Sequence, residues 1–209
     1  MITRATIKAS GPVGYSLNDC GKKMTKEEVL AEVWHRFSRA VTERTRFTVM
    51  QIATIGRDEA PKLRSIVIRC VNKQTASLSF ITDRRSPKVR EIYENPSVSL
   101  LAFDSDTSVQ LRMEGLATVI EDEKRKRSVW ESLHNHTHIL FGSPLVPGTP
   151  VSSPMAVSQI YDPKTAYEQF CLIEIYLSSI DWLHVGMEPQ MRCRFERESK
   201  RWIGIWLVP

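Results

Sequence analysis

The spacing of apolar residues changes once along the chain, near Arg46, and this change constrains the fold more than any other feature. Before it, Thr25 and Glu28 form a capping-box pattern, and apolar residues then recur every three or four positions as far as Val41, as on one face of a helix. After it, apolar and polar residues alternate in short runs separated by polar turns, which is typical of antiparallel strands. The chain is therefore expected to be mainly β, with flanking helices.

The alternating runs predict the strands individually. They span residues 47–53, 63–71, 76–82, 97–103, 109–120, 170–177, 192–197 and 202–208. Two further helices are expected, one opened by Ser86 and Pro87 and the other over residues 123–133. The inner face of the first is expected to consist of Val89, Ile92 and Tyr93. Because the strands do not alternate regularly with helices, they favour a closed barrel of six or seven antiparallel strands over a parallel sheet.

The ends of the predicted barrel domain follow from composition. Residues 1–24 contain scattered glycines and no clear period, so they are expected to form an N-terminal arm beside a single domain over residues 25–209.

Residues 142–163 are expected to form one long, proline-rich loop, and such loops are often functional. The prolines that motivate this loop are Pro144, Pro147, Pro150, Pro154 and Pro163.

Charge and hydropathy narrow the possible partners. The net charge is +5, but the most basic run, residues 124–127, directly follows the acidic residues 121–123. This pattern favours a solvated helix start over a nucleic-acid-binding stripe. No apolar stretch is long enough to cross a bilayer, and the first residues, with no apolar segment before a small-residue site, lead us to expect no secretory signal. We therefore expect a cytoplasmic protein without nucleic-acid or membrane partners.

The four cysteines are widely scattered, and their spacing does not suit zinc or a disulfide framework. Cys70 and Cys171 lie in apolar runs and are expected to be small buried residues. The histidines His134, His136 and His138 have no accompanying carboxylate motif. No metal site is predicted, and the histidines are expected to line a polar loop or pocket wall.

Two polar clusters suggest a phosphate site. Alternation places Arg64 and Arg69 within an otherwise apolar strand, where a cation requires an anionic partner. The segment Thr82-Asp83-Arg84-Arg85-Ser86-Pro87-Lys88 then joins a strand to a helix. Backbone N–H groups at a helix start, hydroxyls and cations together can bind a phosphate.

These clusters occur in an order that resembles the pyridoxamine 5′-phosphate oxidase-related FMN-binding split-barrel family. The resemblance covers roughly residues 45–209, and it begins with the strand Arg64-Ser65-Ile66-Val67-Ile68-Arg69. The other matching motifs are Phe80-Ile81-Thr82, Ser86-Pro87-Lys88, Glu94-Asn95-Pro96-Ser97-Val98-Ser99-Leu100, Gln110 with Gly115, and Arg194-Phe195 through Trp202 to Leu207-Val208-Pro209.

The resemblance implies a split β-barrel of Greek-key type that binds FMN at the interface of a homodimer. Arg64, Lys88, Thr82 and Ser86 would contact the phosphate, Gln110 would bind the polar edge of the ring, and Arg194 would come from the partner chain. Further implied FMN contacts are Ser65, Ile66, Val67, Ile68, Arg69, Ile81 and Ser152. The residues implied for a small-molecule substrate are Arg69, His134, His138, Gln190 and Arg192.

The sequence departs from the oxidase pattern at positions that the resemblance assigns to substrate binding. The paired Arg-x-His near the C-terminus is Gln190-Met191-Arg192 here, and the stretch of residues 130–138, which includes His134, offers no arginine. The leading hypothesis is an FMN-dependent oxidoreductase acting on an unknown small molecule, with catalytic residues unassigned. The alternatives are a pyridoxamine or pyridoxine 5′-phosphate oxidase, a non-catalytic flavin carrier, and a haem-binding split barrel with a ligand such as His184.

Overall fold

The first helix begins where its capping residues predict. The computed structural model describes residues 24–153 and 162–209, so the predicted arm lies outside the described residues except for Met24. In α1 (Lys26–Thr42), the Thr25 hydroxyl accepts a hydrogen bond from the Glu28 N–H at 3.2 Å, and the Glu28 carboxylate accepts one from the Thr25 N–H at 2.7 Å. The buried face of α1 packs against the barrel core through Val29, Val33, Trp34, Phe37 and Ala40.

Eight antiparallel strands form one sheet. They are β1 (Val49–Ile55), β2 (Pro61–Asn72), β3 (Ser77–Asp83), β4 (Ser97–Asp104), β5 (Val109–Val119), β6 (Phe170–His184), β7 (Met191–Glu198) and β8 (Arg201–Leu207). Their order is β3-β2-β1-β4-β5-β6-β7-β8, and pairing of β3 with β6 closes β1 to β6 into a barrel. Because β4 returns to lie beside β1, the first four strands form a Greek key. The predicted mainly β barrel is confirmed, with β7 and β8 extending the sheet beyond β6.

The remaining helices pack outside the barrel. They are α2 (Pro87–Glu94), α3 (Glu123–Ser132), α4 (Asn135–His138) and α5 (Pro163–Gln169). A second apolar cluster lies beneath α3 and α5, where Phe141, Ala166 and Phe170 are almost fully buried and Trp130 packs against them. No helix in the described part of the chain is long and apolar enough to cross a bilayer.

Two sequence expectations about side-chain direction are wrong. Cys70 is exposed, because β2 has an irregular register between Ile68 and Cys70 that turns the thiol outward. Cys171 is buried as predicted. On α2, Tyr93 is 58% exposed, while Glu91 is buried beside Val89 and Ile92. The inner face of α2 therefore carries a carboxylate where a phenol was predicted.

Several element boundaries also differ from the sequence prediction, and strand β1 begins at Val49, two residues later than predicted. Helix α5 begins at Pro163, with Asp162 as N-cap, so the predicted loop ends in a helix start; residues 154–161 of that loop lie outside the described residues. Strand β6 continues seven residues beyond its predicted end and pairs with both β5 and β7. Just before this extension, Gly115 allows β5 to approach β6 closely, because a Cβ there would lie 2.3 Å from the Tyr176 carbonyl oxygen.

Candidate functional site

Strands β2 and β3 pair along only part of their length. The ladder between them runs from Asn72–Ser77 to Ile68–Phe80. Further along, residues 61–67 of β2 pair with β1, whereas residues 81–83 of β3 pair with β6. Within the described residues, these two facing edges are not paired with each other in a ladder. We call the gap between them the opening; it is a place where backbone N–H and C=O groups could bind a ligand.

Lys88 lies at the end of this opening, on the first turn of α2. Its ammonium donates to Ser86 Oγ at 2.6 Å and to Thr82 Oγ1 at 2.9 Å. Burial, followed by the nearby Arg64 charge, lowers the pKa of Lys88 from its ordinary value. Among the described residues, no carboxylate forms an ion pair with Lys88. A cation that has lost water and has only hydroxyl partners is suited to an incoming anion.

Arg64 extends from β2 toward the same end of the barrel. It donates from Nη1 to Thr54 Oγ1 and to the Lys62 carbonyl oxygen, the latter at 2.7 Å. It also donates from Nη2 to Glu91 Oε2 at 2.8 Å. Sequence reasoning missed Thr54 and Glu91, because a threonine in a strand and a glutamate in a helix carry no motif of their own.

The other two cations of the predicted phosphate segment serve the scaffold. Arg84 pairs with Glu121 at 2.8 Å, and Arg85 pairs with Asp83 at 2.7 Å. Arg85 also donates to the carbonyl oxygens of Ser143 and Pro144 and to the Gln169 side chain. This guanidinium therefore joins the β3–α2 turn to the proline-rich loop and to α5.

The predicted contacts on β2 face two different directions. The side chains of Ile66 and Ile68 are buried in the core, so only their backbone could contact a ligand. Ser65 and Val67 face outward, as does Arg69, whose Nε is buried without a hydrogen-bond partner in the described structure. Ile81 is half-buried on the opposite edge of the opening.

Gln110 and Arg194 do not join this group within one chain. Gln110 lies on β5 and Arg194 on β7, and each of these strands is three strands from β2 by the shorter way around the closed barrel. Arg194 instead pairs with Glu196 at 2.5 Å and lies 3.7 Å from Glu114.

The predicted substrate residues are also dispersed. Arg192 makes a two-point pair with Asp181, from Nε at 3.0 Å and from Nη2 at 2.7 Å, whereas Gln190 is exposed. His138 stacks on Trp130 with ring centroids 4.1 Å apart, and the exposed His134 stacks on His136 at 5.6 Å. Ser152 is exposed in the proline-rich loop.

No metal-binding site is found among the described residues. They contain no group of three or more histidine, cysteine or acidic side chains arranged for a metal. His184, the residue considered for haem, lies at the end of β6 opposite to the residues that border the opening. Burial, followed by the Arg36 charge, lowers the pKa of His184.

Comparison with known sequences identifies the fold's relatives. Residues 31–121 match the family described as pyridoxamine 5′-phosphate oxidase, FMN-binding domain. The chain is 26% identical over 145 residues to pyridoxine/pyridoxamine 5′-phosphate oxidase 2 of Arabidopsis thaliana, a match that covers 65% of this chain and 73% of the plant protein. It is 33% identical over 88 residues to the pyridoxine/pyridoxamine 5′-phosphate oxidase of Ehrlichia chaffeensis, which covers 41% of this chain and 43% of that relative.

Solved structures support the same relationship. A pyridoxamine 5′-phosphate oxidase-related, FMN binding protein from Nostoc punctiforme superposes with a TM-score of 0.70 and 26% identity, covering 86% of this chain and 96% of that one. PhzG from Burkholderia lata, solved with tetrahydrophenazine-1-carboxylic acid, shares the fold with a TM-score of 0.68 and 18% identity, covering 87% and 92% of the two chains. Residues 31–121 thus match the FMN-binding domain of the pyridoxamine 5′-phosphate oxidase family, the chain shares the split-barrel fold of its FMN-binding relatives, and FMN is its cofactor.

Proposed function

We propose that this chain is an FMN-dependent oxidoreductase of a small molecule, and that it acts as a homodimer with two equivalent flavin sites. The proposal rests on the surroundings of Lys88. Lys88 is half-buried, its ammonium donates to two hydroxyls, and it forms no ion pair with a described carboxylate. The dianionic phosphate of FMN would supply the missing counter-charge.

The chemistry of the donors around Lys88 fits a phosphate. The hydroxyls of Thr82 and Ser86 can turn to donate to phosphate oxygens. Arg64 adds a second cation, close enough to lower the pKa of Lys88. These groups lie at the strand end and helix start where backbone N–H groups are also available. We therefore assign the phosphate to Arg64, Thr82, Ser86 and Lys88.

The opening between β2 and β3 suits the rest of the cofactor. The edges formed by residues 61–67 and 81–83 offer backbone donors and acceptors for the polar atoms of a flavin, and Val67 supplies an apolar contact. When bound, FMN supplies the electron- and hydride-transfer chemistry. The chain's own part is to hold the phosphate, align the ring with the β2 edge and orient the substrate. We assign no general acid or base.

The outer face of the sheet suits a second copy of the chain. It exposes the apolar side chains of Val49, Leu101 and Phe103, together with Val67 on β2. The same face contains a hollow of about 380 Å³ whose lining includes Leu101 and Arg194. Such a contiguous exposed apolar patch commonly marks an interface. A partner seated on this face would bring its own Gln110 and Arg194 toward the flavin.

Identification of the bound ligand and its reduction test the proposal. Mass spectrometry of the ligand released from purified protein is expected to show FMN, and mixing with NADH or NADPH is expected to bleach the visible flavin band. Bound FMN that neither NADH, NADPH nor a panel of reduced small molecules can reduce would favour a flavin carrier. A haem spectrum with no flavin would overturn the assignment.

A further inference from the structure

A buried carboxylate lies directly behind the proposed phosphate-binding arginine. Glu91 is 7% exposed and Thr54 is 1% exposed, so the two residues are almost completely enclosed between α2 and β1. The Thr54 hydroxyl donates to Glu91 Oε2 at 2.5 Å, and Arg64 donates to the same oxygen at 2.8 Å and to the Thr54 hydroxyl. The three side chains thus form a closed hydrogen-bonded triangle.

The triangle determines which side of the guanidinium remains available. Arginine has five N–H donors in a rigid plane. Thr54 and Glu91 together occupy the end formed by Nη1 and Nη2, and the Lys62 carbonyl oxygen takes the second Nη1 hydrogen. Within the described structure, the unused donors are Nε–H and the second Nη2 hydrogen. These two lie side by side, in the arrangement that binds phosphate at two points.

We propose that Glu91 is a positioning residue for FMN: through Thr54 and Arg64, it turns the free edge of the guanidinium toward the cofactor's phosphate. The inference rests on the proposed assignment of the phosphate to Arg64 and Lys88. Arginine has a long side chain with many rotamers, so fixing it before the ligand arrives reduces the entropy lost on binding. Glu91 is also an anion near a phosphate, so orientation is its only favourable contribution to FMN affinity.

This distinction makes the glutamine variant informative. Glu91→Gln keeps an oxygen that can accept from both Thr54 and Arg64, but it removes the negative charge. If Glu91 acts by orientation, the glutamine should preserve FMN binding. Glu91→Ala removes the acceptor and should release Arg64. Glu94→Gln is the matched control, because Glu94 lies on the same helix and pairs with Arg57 at the exposed surface.

The test is the ratio of dissociation constants for riboflavin and FMN, measured by flavin fluorescence on each purified variant. Riboflavin lacks the phosphate, so general damage to the fold would weaken both ligands and leave the ratio unchanged. Glu91→Ala is expected to lower the ratio by roughly tenfold, equivalent to the loss of one charge-assisted hydrogen bond. Glu91→Gln should stay within about threefold of wild type, and Glu94→Gln should match it.

The outcomes separate this inference from the proposed function. A wild-type ratio near one would overturn the phosphate assignment itself. A wild type that prefers FMN, with an unchanged ratio in Glu91→Ala, would overturn the positioning role alone. Should Glu91→Ala fail to fold, Thr54→Val replaces it, because valine keeps the buried volume and removes the hydroxyl that joins the triangle. An unchanged ratio in Thr54→Val would then count against the proposal.

Discussion

The Lys88 ammonium lies 2.6 Å from Ser86 Oγ, so the serine that precedes α2 contacts a cation and makes no capping hydrogen bond through its side chain. The sequence predicts Ser86 at the N-cap position, and its backbone occupies that position, followed by Pro87. The hydroxyl has a different role. Together with Thr82 it accepts hydrogen bonds from the ammonium of the half-buried Lys88, whose pKa burial lowers.

The first prediction concerns the pH dependence of FMN binding. The charged form of Lys88 attracts the phosphate, so affinity should fall as pH rises through the pKa of Lys88. Because that pKa is lowered, mainly by burial, the fall should begin below the range of an ordinary lysine near 10.4. Lys88→Arg keeps its charge at high pH and should abolish the fall. FMN titrations above pH 7, where the phosphate is mostly dianionic, measure this; parallel curves for both proteins would contradict it.

The second prediction concerns Arg64. Arg64→Ala should weaken FMN binding by at least about tenfold, since charge-assisted contacts contribute on the order of 1.5–3 kcal/mol each. Riboflavin should bind poorly to both proteins. Arg57→Ala is the control, because Arg57 forms an exposed ion pair with Glu94. Isothermal titration with FMN and riboflavin decides the matter, and equal affinity of the wild type for the two flavins would refute the prediction.

The third prediction concerns assembly. The wild type should be a dimer of the 24.0 kDa chain by light scattering. Leu101→Asp places a charge on the exposed apolar face of the sheet and should produce a monomer that retains little flavin. Leu140→Asp is the control, because Leu140 is 64% exposed and lies outside the sheet. A wild-type monomer with full flavin occupancy would exclude the interfacial site.

Local patterns predicted most of the fold. The capping box places the start of α1, and alternation places the strands, because both signals depend on residues close together in sequence. The grouping of Arg64 with Lys88 was also predictable, since a family-like order of motifs places them on β2 and α2. The sequence also contains a pattern typical of a helix start at α5, because Asp162 is a favoured N-cap residue and Pro163 is favoured as the first helical residue.

The unpredicted features depend on contacts between distant segments. Cys70 turns outward because of an irregular register between β2 and β3, which no pattern within β2 reveals. Glu91 is buried because Arg64 and Thr54, distant in sequence, supply its hydrogen bonds. The second half of β6 exists because β5 and β7 pair with it on either side. Sequence periodicity describes one element at a time, and these features belong to pairs of elements.

The fourth prediction concerns stability and Glu174, which is 5% exposed and accepts hydrogen bonds from Ser77, Arg125 and Tyr176. Burial raises the pKa of Glu174, but these hydrogen bonds outweigh it and hold the pKa below its ordinary value. The ionised form therefore stabilises the fold above about pH 4.3, the unfolded value, and this contribution is lost as pH falls through the lowered pKa.

Glu174→Gln should consequently cost about 2 kcal/mol near neutral pH, or roughly 4–8 °C in melting temperature. The difference from wild type should shrink as the pH falls below 4. Glu43→Gln, which alters an exposed pair with Arg39, should leave the melting temperature close to that of the wild type. Thermal unfolding of the three proteins between pH 3 and pH 7 measures this; a Glu174→Gln protein as stable as wild type at pH 7 would contradict it.

The last prediction is that pyridoxine and pyridoxamine 5′-phosphates are poor substrates. The chain has Gln190 and Arg192 where the oxidase pattern has Arg-x-His, and Arg192 is bound at two points by Asp181. The exposed His134 lies in a stretch, residues 130–138, that contains no arginine. A substrate that loses a two-point phosphate contact loses binding energy that orients it over the flavin. The measurement is pyridoxal 5′-phosphate formation by FMN-saturated protein under air. Turnover of roughly 1 per second or faster would show that these replacements still support the oxidase reaction.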